Sequence, residues 1–154
     1  MKNIVQFTFA IYVACVISIT IFPIPYDKTT INYEAQENYL HNNMIPFTFL
    51  SNFSAYQSFG NLLLLLPLGL YVPLLSKRMK SIKRVFLVGI LSSLGIELTQ
   101  FVISMLAGYT YRQADIDDVI LNTLGAVVGC VAFHFLVNWC KGQFDLEIFN
   151  VLKK

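Results

Sequence analysis

The chain predicts an all-α integral membrane protein, a bundle of four transmembrane helices, and three observations carry that prediction. Hydrophobic residues make up 56% of its 154 positions and charged residues only 13%, which is too apolar for a water-soluble surface. Four stretches reach the roughly 17 to 25 residues needed to cross ~30 Å of hydrocarbon. Between the second and third of them, S-K-R-M-K-S-I-K-R at 76–84 carries five positive charges and no negative one. Basic residues concentrate in short cytoplasmic loops, so this segment is expected inside.

The four spans are expected at about residues 4–22, 59–75, 84–107 and 118–140, within one domain covering 1–154. Lys2 precedes the first span, as in a signal peptide, but the run ends I-T-I-F-P-I-P without a small-residue cleavage pattern, so an uncleaved helix is expected. The second span contains Pro67 and Pro73, each of which removes a backbone donor and should kink it. Neighbouring helices or water must then satisfy the freed carbonyls. Counting from the basic loop places both termini in the cytoplasm (N-in/C-in) and puts 23–58 and 108–117 outside. These outer segments hold Tyr26, Tyr33, Tyr39, Tyr56, Tyr109 and Tyr111, six of the eight tyrosines, suited to anchoring at headgroup level, as are Trp139 and Lys141 at the inner end.

The outer loop 23–58 includes N-N-M-I-P-F-T-F-L at 42–50, too apolar to float freely and too short to span. It is expected to fold back on the membrane surface and to lid whatever lies beneath. Asn52-Phe53-Ser54 matches a glycosylation sequon, a triplet common by chance. Phe144, Ile148 and Val151 share one helical face in a tail expected to lie along the inner surface.

Composition also excludes some functions. A net charge of +2 gives no footprint for nucleic acid. Cys15, Cys130 and Cys140 lack metal-ligand spacing and a disulfide-like even count, and read as packing residues. His41 and His134 are solitary and read as structural, and no cofactor motif is present.

Polar residues inside the spans are the functional candidates, because a carboxylate within a membrane helix is costly to keep. At 1.5 Å per residue, Glu97 stands about 20 Å above Arg84 on a helix rising from the cytoplasm. Asn61 at the outer start of the second span, and Asp118 and Asn122 in the first turns of the fourth, fall at a comparable depth. Ser93, Glu97, Gln100 and Ser104 follow i, i+4, i+7, i+11, and Asp118, Asn122, Gly125 and Gly129 repeat that spacing. The glycine pair allows close approach of another helix. These stripes predict an outward-opening cavity contacted by Asn61, Glu97, Gln100, Arg112, Asp115, Asp117, Asp118 and Asn122. Each residue also has a plainer role available: capping for Asp117 and Asp118, a solvent-exposed pairing of Arg112 with Asp115, and interhelical hydrogen bonding for Asn61, Gln100 and Asn122. The D-x-D-D pattern is a weak metal motif unless Glu97 completes it, and no metal site is expected.

Four blocks in order carry a resemblance: Asn43, Pro46 and Phe47 in N-x-x-P-F; G-N-L-L-L-L-L-P-L-G at 60–69; Glu97 and Gln100 in E-x-x-Q; and D-I-D-D-V-I-L-N-T-L-G at 115–125. From the first outer loop through the fourth span, the chain resembles the VanZ-like family of small bacterial membrane proteins. The resemblance implies a multi-pass protein of the bacterial cell membrane, with a role in the cell envelope and an association with resistance to glycopeptide antibiotics, teicoplanin in particular. It supplies no settled reaction. One reading is a non-enzymatic binding or shielding module that engages membrane lipids, a lipid-linked cell-wall precursor or a lipoglycopeptide. The alternative is a membrane enzyme modifying an envelope lipid or polymer, with Glu97 or Asp118 as general acid or base and Arg112 holding an anionic group. No nucleophile paired with a base is visible in the sequence, which favours binding.

Overall fold

The computed structural model describes residues 2–22, 43–51, 54–107 and 112–143, with side chains described through Cys140. The expectations for Tyr26, Tyr33, Tyr39, Tyr109 and Tyr111, for His41, for most of the sequon, for the side chain of Lys141 and for the tail face beyond 143 lie outside the described residues.

Four long helices account for nearly all of what is described: α1 (Lys2–Ile21), α2 (Ala55–Leu75), α3 (Ile82–Ala107) and α4 (Ile116–Gln143). Each is long and apolar enough to cross a membrane. Two single 3₁₀ turns, Thr48–Leu50 and Lys77–Met79, lie in the connections, and no strand occurs among the described residues beyond one isolated bridge between Asn43 and Asp115. Large apolar side chains such as Phe7, Leu63, Leu98 and Phe135 are exposed around the bundle, as lipid-facing helices require.

The helices begin where local chemistry allows. Ser54 caps α2 by accepting the Gln57 amide at 3.4 Å, so the helix starts four residues before the point that hydropathy alone indicates. Pro67 and Pro73 fall within α2, which is continuous through both. Pro67 removes the donor for the Leu63 carbonyl; the next carbonyl, that of Leu64, accepts the Tyr12 hydroxyl of α1 at 2.8 Å.

α2 and α4 form the principal packed pair. Gly125 lies against the Leu62 carbonyl and Gly129 against that of Leu66, so the contacts advance together and the two helices run parallel. A Cβ at either glycine would collide with that backbone; in lipid, where helix association relies on packing, small residues permit such an approach. α3 is antiparallel to them, with Gly89 against Ala126 and Ser93 against Asn122. α1 packs more sparsely, through Phe9 and Tyr12 against Tyr71 (ring centroids 5.4 and 5.7 Å apart) and through Thr20, its single buried residue. Leu65, Leu68, Val72, Val85, Ala126 and Cys130 form an apolar core in the half nearer the basic loop. The other half contains polar groups.

Candidate functional site

At the end of the bundle where α1 and α3 finish and α2 and α4 start, the helices enclose a cavity of about 580 Å³. Its walls include Asn61 of α2, Glu97 and Gln100 of α3, Arg112 just before α4, and Asp118 and Asn122 of α4. Six of the eight candidate residues therefore converge, from segments as far apart in sequence as 61 and 122.

Helical phase explains the convergence. Ser93, Glu97 and Gln100 are all buried on one face of α3, and Asn122, Gly125 and Gly129 on one face of α4. Asn122, 1% exposed, donates to Ser93 Oγ at 3.0 Å, while its Oδ1 has no partner among the described residues. Asn61 donates to Asp118 Oδ1, and Gln57, one turn earlier on α2, engages the same carboxylate. Glu97, 9% exposed, accepts the Asp115 backbone amide at 3.2 Å. Gln100 donates to the Thr20 carbonyl at 2.8 Å, and Arg112 donates to the Ile19 carbonyl at 3.3 Å, so both draw the end of α1 into the site.

Asp115 and Asp117 stand elsewhere. They line a small recess of about 50 Å³ beside the cavity, with Asp118 shared between the two. At the start of α4 successive side chains turn by about 100°, which sends the neighbours Asp117 and Asp118 in different directions. Asp115 is the helix cap: its Oδ1 accepts the Asp117 amide at 2.8 Å and the Asn43 side-chain amide at 2.9 Å. Asp117, 3% exposed, holds the 43–51 loop; its oxygens accept the Phe47 amide at 2.6 Å, the Thr48 hydroxyl at 2.6 Å and the Phe49 amide at 3.0 Å. Phe47 is the one described non-glycine residue with positive φ, 67°, and its amide is among those Asp117 binds. Asn43 completes the clamp through backbone bonds to Ala114 and Ile116 at 2.9 and 3.0 Å.

The expectation that 42–50 lids the cavity is therefore corrected for its described part. None of residues 43–51 lines the cavity; they are braced against the start of α4 because Asp117 satisfies their backbone donors.

Sequence reasoning missed several lining residues: Ile19 and Thr20 of α1, Tyr56, Gln57 and Gly60 of α2, and Gln113. Gln57 and Asn61 stand at i, i+4, a readable signal once the helix start is moved back to 55. Ile19 and Thr20 gave no signal, since neither type is unusual in a membrane helix. His134 Nδ1 sits 2.8 Å from the Cys130 carbonyl one turn back, a local contact far from the cavity. Among the described residues, no three His, Cys, Asp or Glu side chains are grouped to hold a metal ion.

The arrangement presents acceptors on Glu97, Asp118 and Asn122, mixed amide groups on Gln57, Asn61 and Gln100, and one cation, Arg112. It can recognise a polar group at membrane depth. A family model described as VanZ/LLP1 matches residues 9–137, which takes in most of α1 and α4, the whole of α2 and α3, and every residue of the cavity. No curated protein and no solved structure matches the chain.

Proposed function

Because the chain belongs to the VanZ/LLP1 family, we propose that it is a VanZ-like protein of the bacterial cell membrane whose cavity binds an amphipathic or lipid-linked envelope component and so contributes to glycopeptide resistance of the teicoplanin type. The observation carrying this reading is the convergence of Asn61, Glu97, Gln100, Arg112, Asp118 and Asn122 on one cavity within helices of membrane-spanning length. Ionisable side chains in such helices turn inward where they serve a ligand or a relay. The five positive charges of the 76–84 loop favour placing that loop in the cytoplasm, with the cavity toward the exterior, where wall precursors and glycopeptides meet.

Two mechanisms share this site. In the binding mechanism the cavity holds a ligand's polar part and reduces antibiotic access to the wall precursor. In the enzymatic alternative, favoured only by the presence of Glu97 and Asp118 in one cavity, a carboxylate moves a proton on an envelope lipid or polymer. No nucleophile paired with a base is visible in the sequence, which is why binding is preferred.

The test is expression of the full chain in a glycopeptide-susceptible Gram-positive host, reading teicoplanin susceptibility and cell-bound teicoplanin. Wild type lowers both, and an unchanged host sinks the resistance reading. Glu97→Gln retains partial protection under the binding mechanism and loses nearly all of it under general-base catalysis. A new or missing lipid or wall-precursor mass in the expressing strain identifies the enzyme.

A further inference from the structure

A second cavity adjoins the first. It is a groove of about 660 Å³ bounded by α1, α2 and α3, and Thr20 and Ile96 line both spaces. Its walls are apolar, from residues such as Val13, Val16, Ile17 and Leu68. Three of the four polar side chains along it, all but Ser92, are satisfied within the protein. Tyr12 donates to Leu64, Thr20 back-bonds to the Val16 carbonyl at 2.8 Å and Thr99 to that of Gly95 at 2.7 Å. What the groove offers an occupant is hydrocarbon surface. Gly95 lines it, and a Cβ there would stand in open space with nothing within 4 Å.

The polar cavity makes the opposite offer. Asn122 is almost wholly buried, yet its Oδ1 lacks a donor, a condition that costs free energy until one arrives. The amides of Asn61, Gln57 and Gln100 carry donors and acceptors side by side. A hydroxyl group is also both, so a head rich in hydroxyls can meet such a lining at every point. A phosphate brings acceptors and negative charge; it would face Glu97 and Asp118 against the single cation Arg112, which already donates to the Ile19 carbonyl. An ammonium brings donors alone; it could meet Glu97, Asp118 and Asn122 Oδ1 but would share the cavity with the Arg112 cation and offer it no acceptor.

Resting on the binding reading above, we propose that the two spaces form one site for a glycosyl amphiphile, with an uncharged, hydroxyl-rich head in the polar cavity and its hydrocarbon tail passing Thr20 and Ile96 into the apolar groove. Continuity of the two spaces selects this occupant over a lipid lying against the groove alone. A polar group held at Asn122 and Gln100 has an apolar exit beside it at Ile96.

The experiment uses the purified full chain in phosphatidylcholine nanodiscs and a dodecyl maltoside analogue with a diazirine near the tail end. Photolabel is expected on peptides containing Val16 and Thr99. Unlabelled dodecyl maltoside should compete about tenfold better than lauryl phosphate or dodecylammonium, since a site built for hydrogen bonds discriminates against heads that cannot complete them. Gly95→Phe fills the groove and should cut labelling by about fivefold or more, as an occluded pocket does, while Gly95→Ala stays within about twofold of wild type. Equal labelling of wild type and Gly95→Phe, or label spread evenly over the exposed face of α4, overturns the tail assignment and leaves the polar-cavity reading standing. Equal competition by lauryl phosphate overturns the head assignment. Labelling that Gly95→Phe abolishes but Asn122→Leu and Gln100→Leu leave unchanged overturns the head assignment together with the binding reading.

Discussion

The backbone amide of Asp115 donates to Glu97 Oε2 at 3.2 Å, tying the cap of α4 to the inward face of α3. Glu97→Gln keeps an acceptor at that place, whereas Glu97→Leu orphans a partly buried donor. An unmet buried donor costs about 1–3 kcal/mol. Thermal unfolding of the full chain in detergent should therefore separate the two variants by an amount of that order, with Gln near wild type. Equal stability of Leu and Gln would remove the bond from the account of the fold.

Asp117 is expected to matter for order in the 43–51 loop rather than for the ligand. Its carboxylate accepts three bonds while almost wholly buried. Hydrogen bonds to a charged group contribute about 1.5–3 kcal/mol each, with losses from one site less than additive. Asp117→Ala should release the loop, read as rapid amide exchange at Phe47 and Phe49, while the α2–α4 contact persists. Unchanged exchange there would refute the clamp.

Glycines on α2 and α4 should differ sharply in tolerance. Gly125→Ala puts a Cβ into the Leu62 backbone, and overpacking of this kind costs about 1–3 kcal/mol, more where backbone must move. Gly60→Ala meets nothing within 4 Å, and alanine gains about 1 kcal/mol of helix propensity over glycine. Unfolding midpoints for the pair should shift in opposite directions. A common direction contradicts the packing described for α2 and α4.

Much of this was legible in the sequence for a simple reason: in lipid, length and apolarity decide which segments are helices, and all four spans were placed from those alone. The i, i+4, i+7 stripes through Glu97 and Asn122 located the inward faces because inward and lipid-facing positions differ in polarity. Hydropathy could not say that α2 begins at Ala55, since the Ser54 cap belongs to hydrogen-bond chemistry. Nor could composition divide the D-I-D-D run. Asp115 caps, Asp117 clamps and Asp118 meets Asn61, a division set by helical phase and by a loop some 70 residues earlier. The part of α1 was hidden for a third reason: Ile19 enters through a backbone carbonyl, to which side-chain identity is no guide.

Orientation is the remaining prediction, and the proposed function depends on its sign. Placing five positive charges across a bilayer opposes the bias that keeps lysine and arginine in cytoplasmic loops, so the α2–α3 connection should stay inside and the opposite end of the bundle, where Gln113 lines the cavity, should face out. Single cysteines at Ser81 and Gln113, in a background with Cys15, Cys130 and Cys140 replaced, should react oppositely with a membrane-impermeant maleimide. In intact cells Gln113→Cys is labelled, and Ser81→Cys only after permeabilisation. The converse pattern would turn the cavity toward the cytoplasm. A ligand would then have to be a cytoplasmic-leaflet lipid, and direct interference with extracellular glycopeptides would lose its geometry.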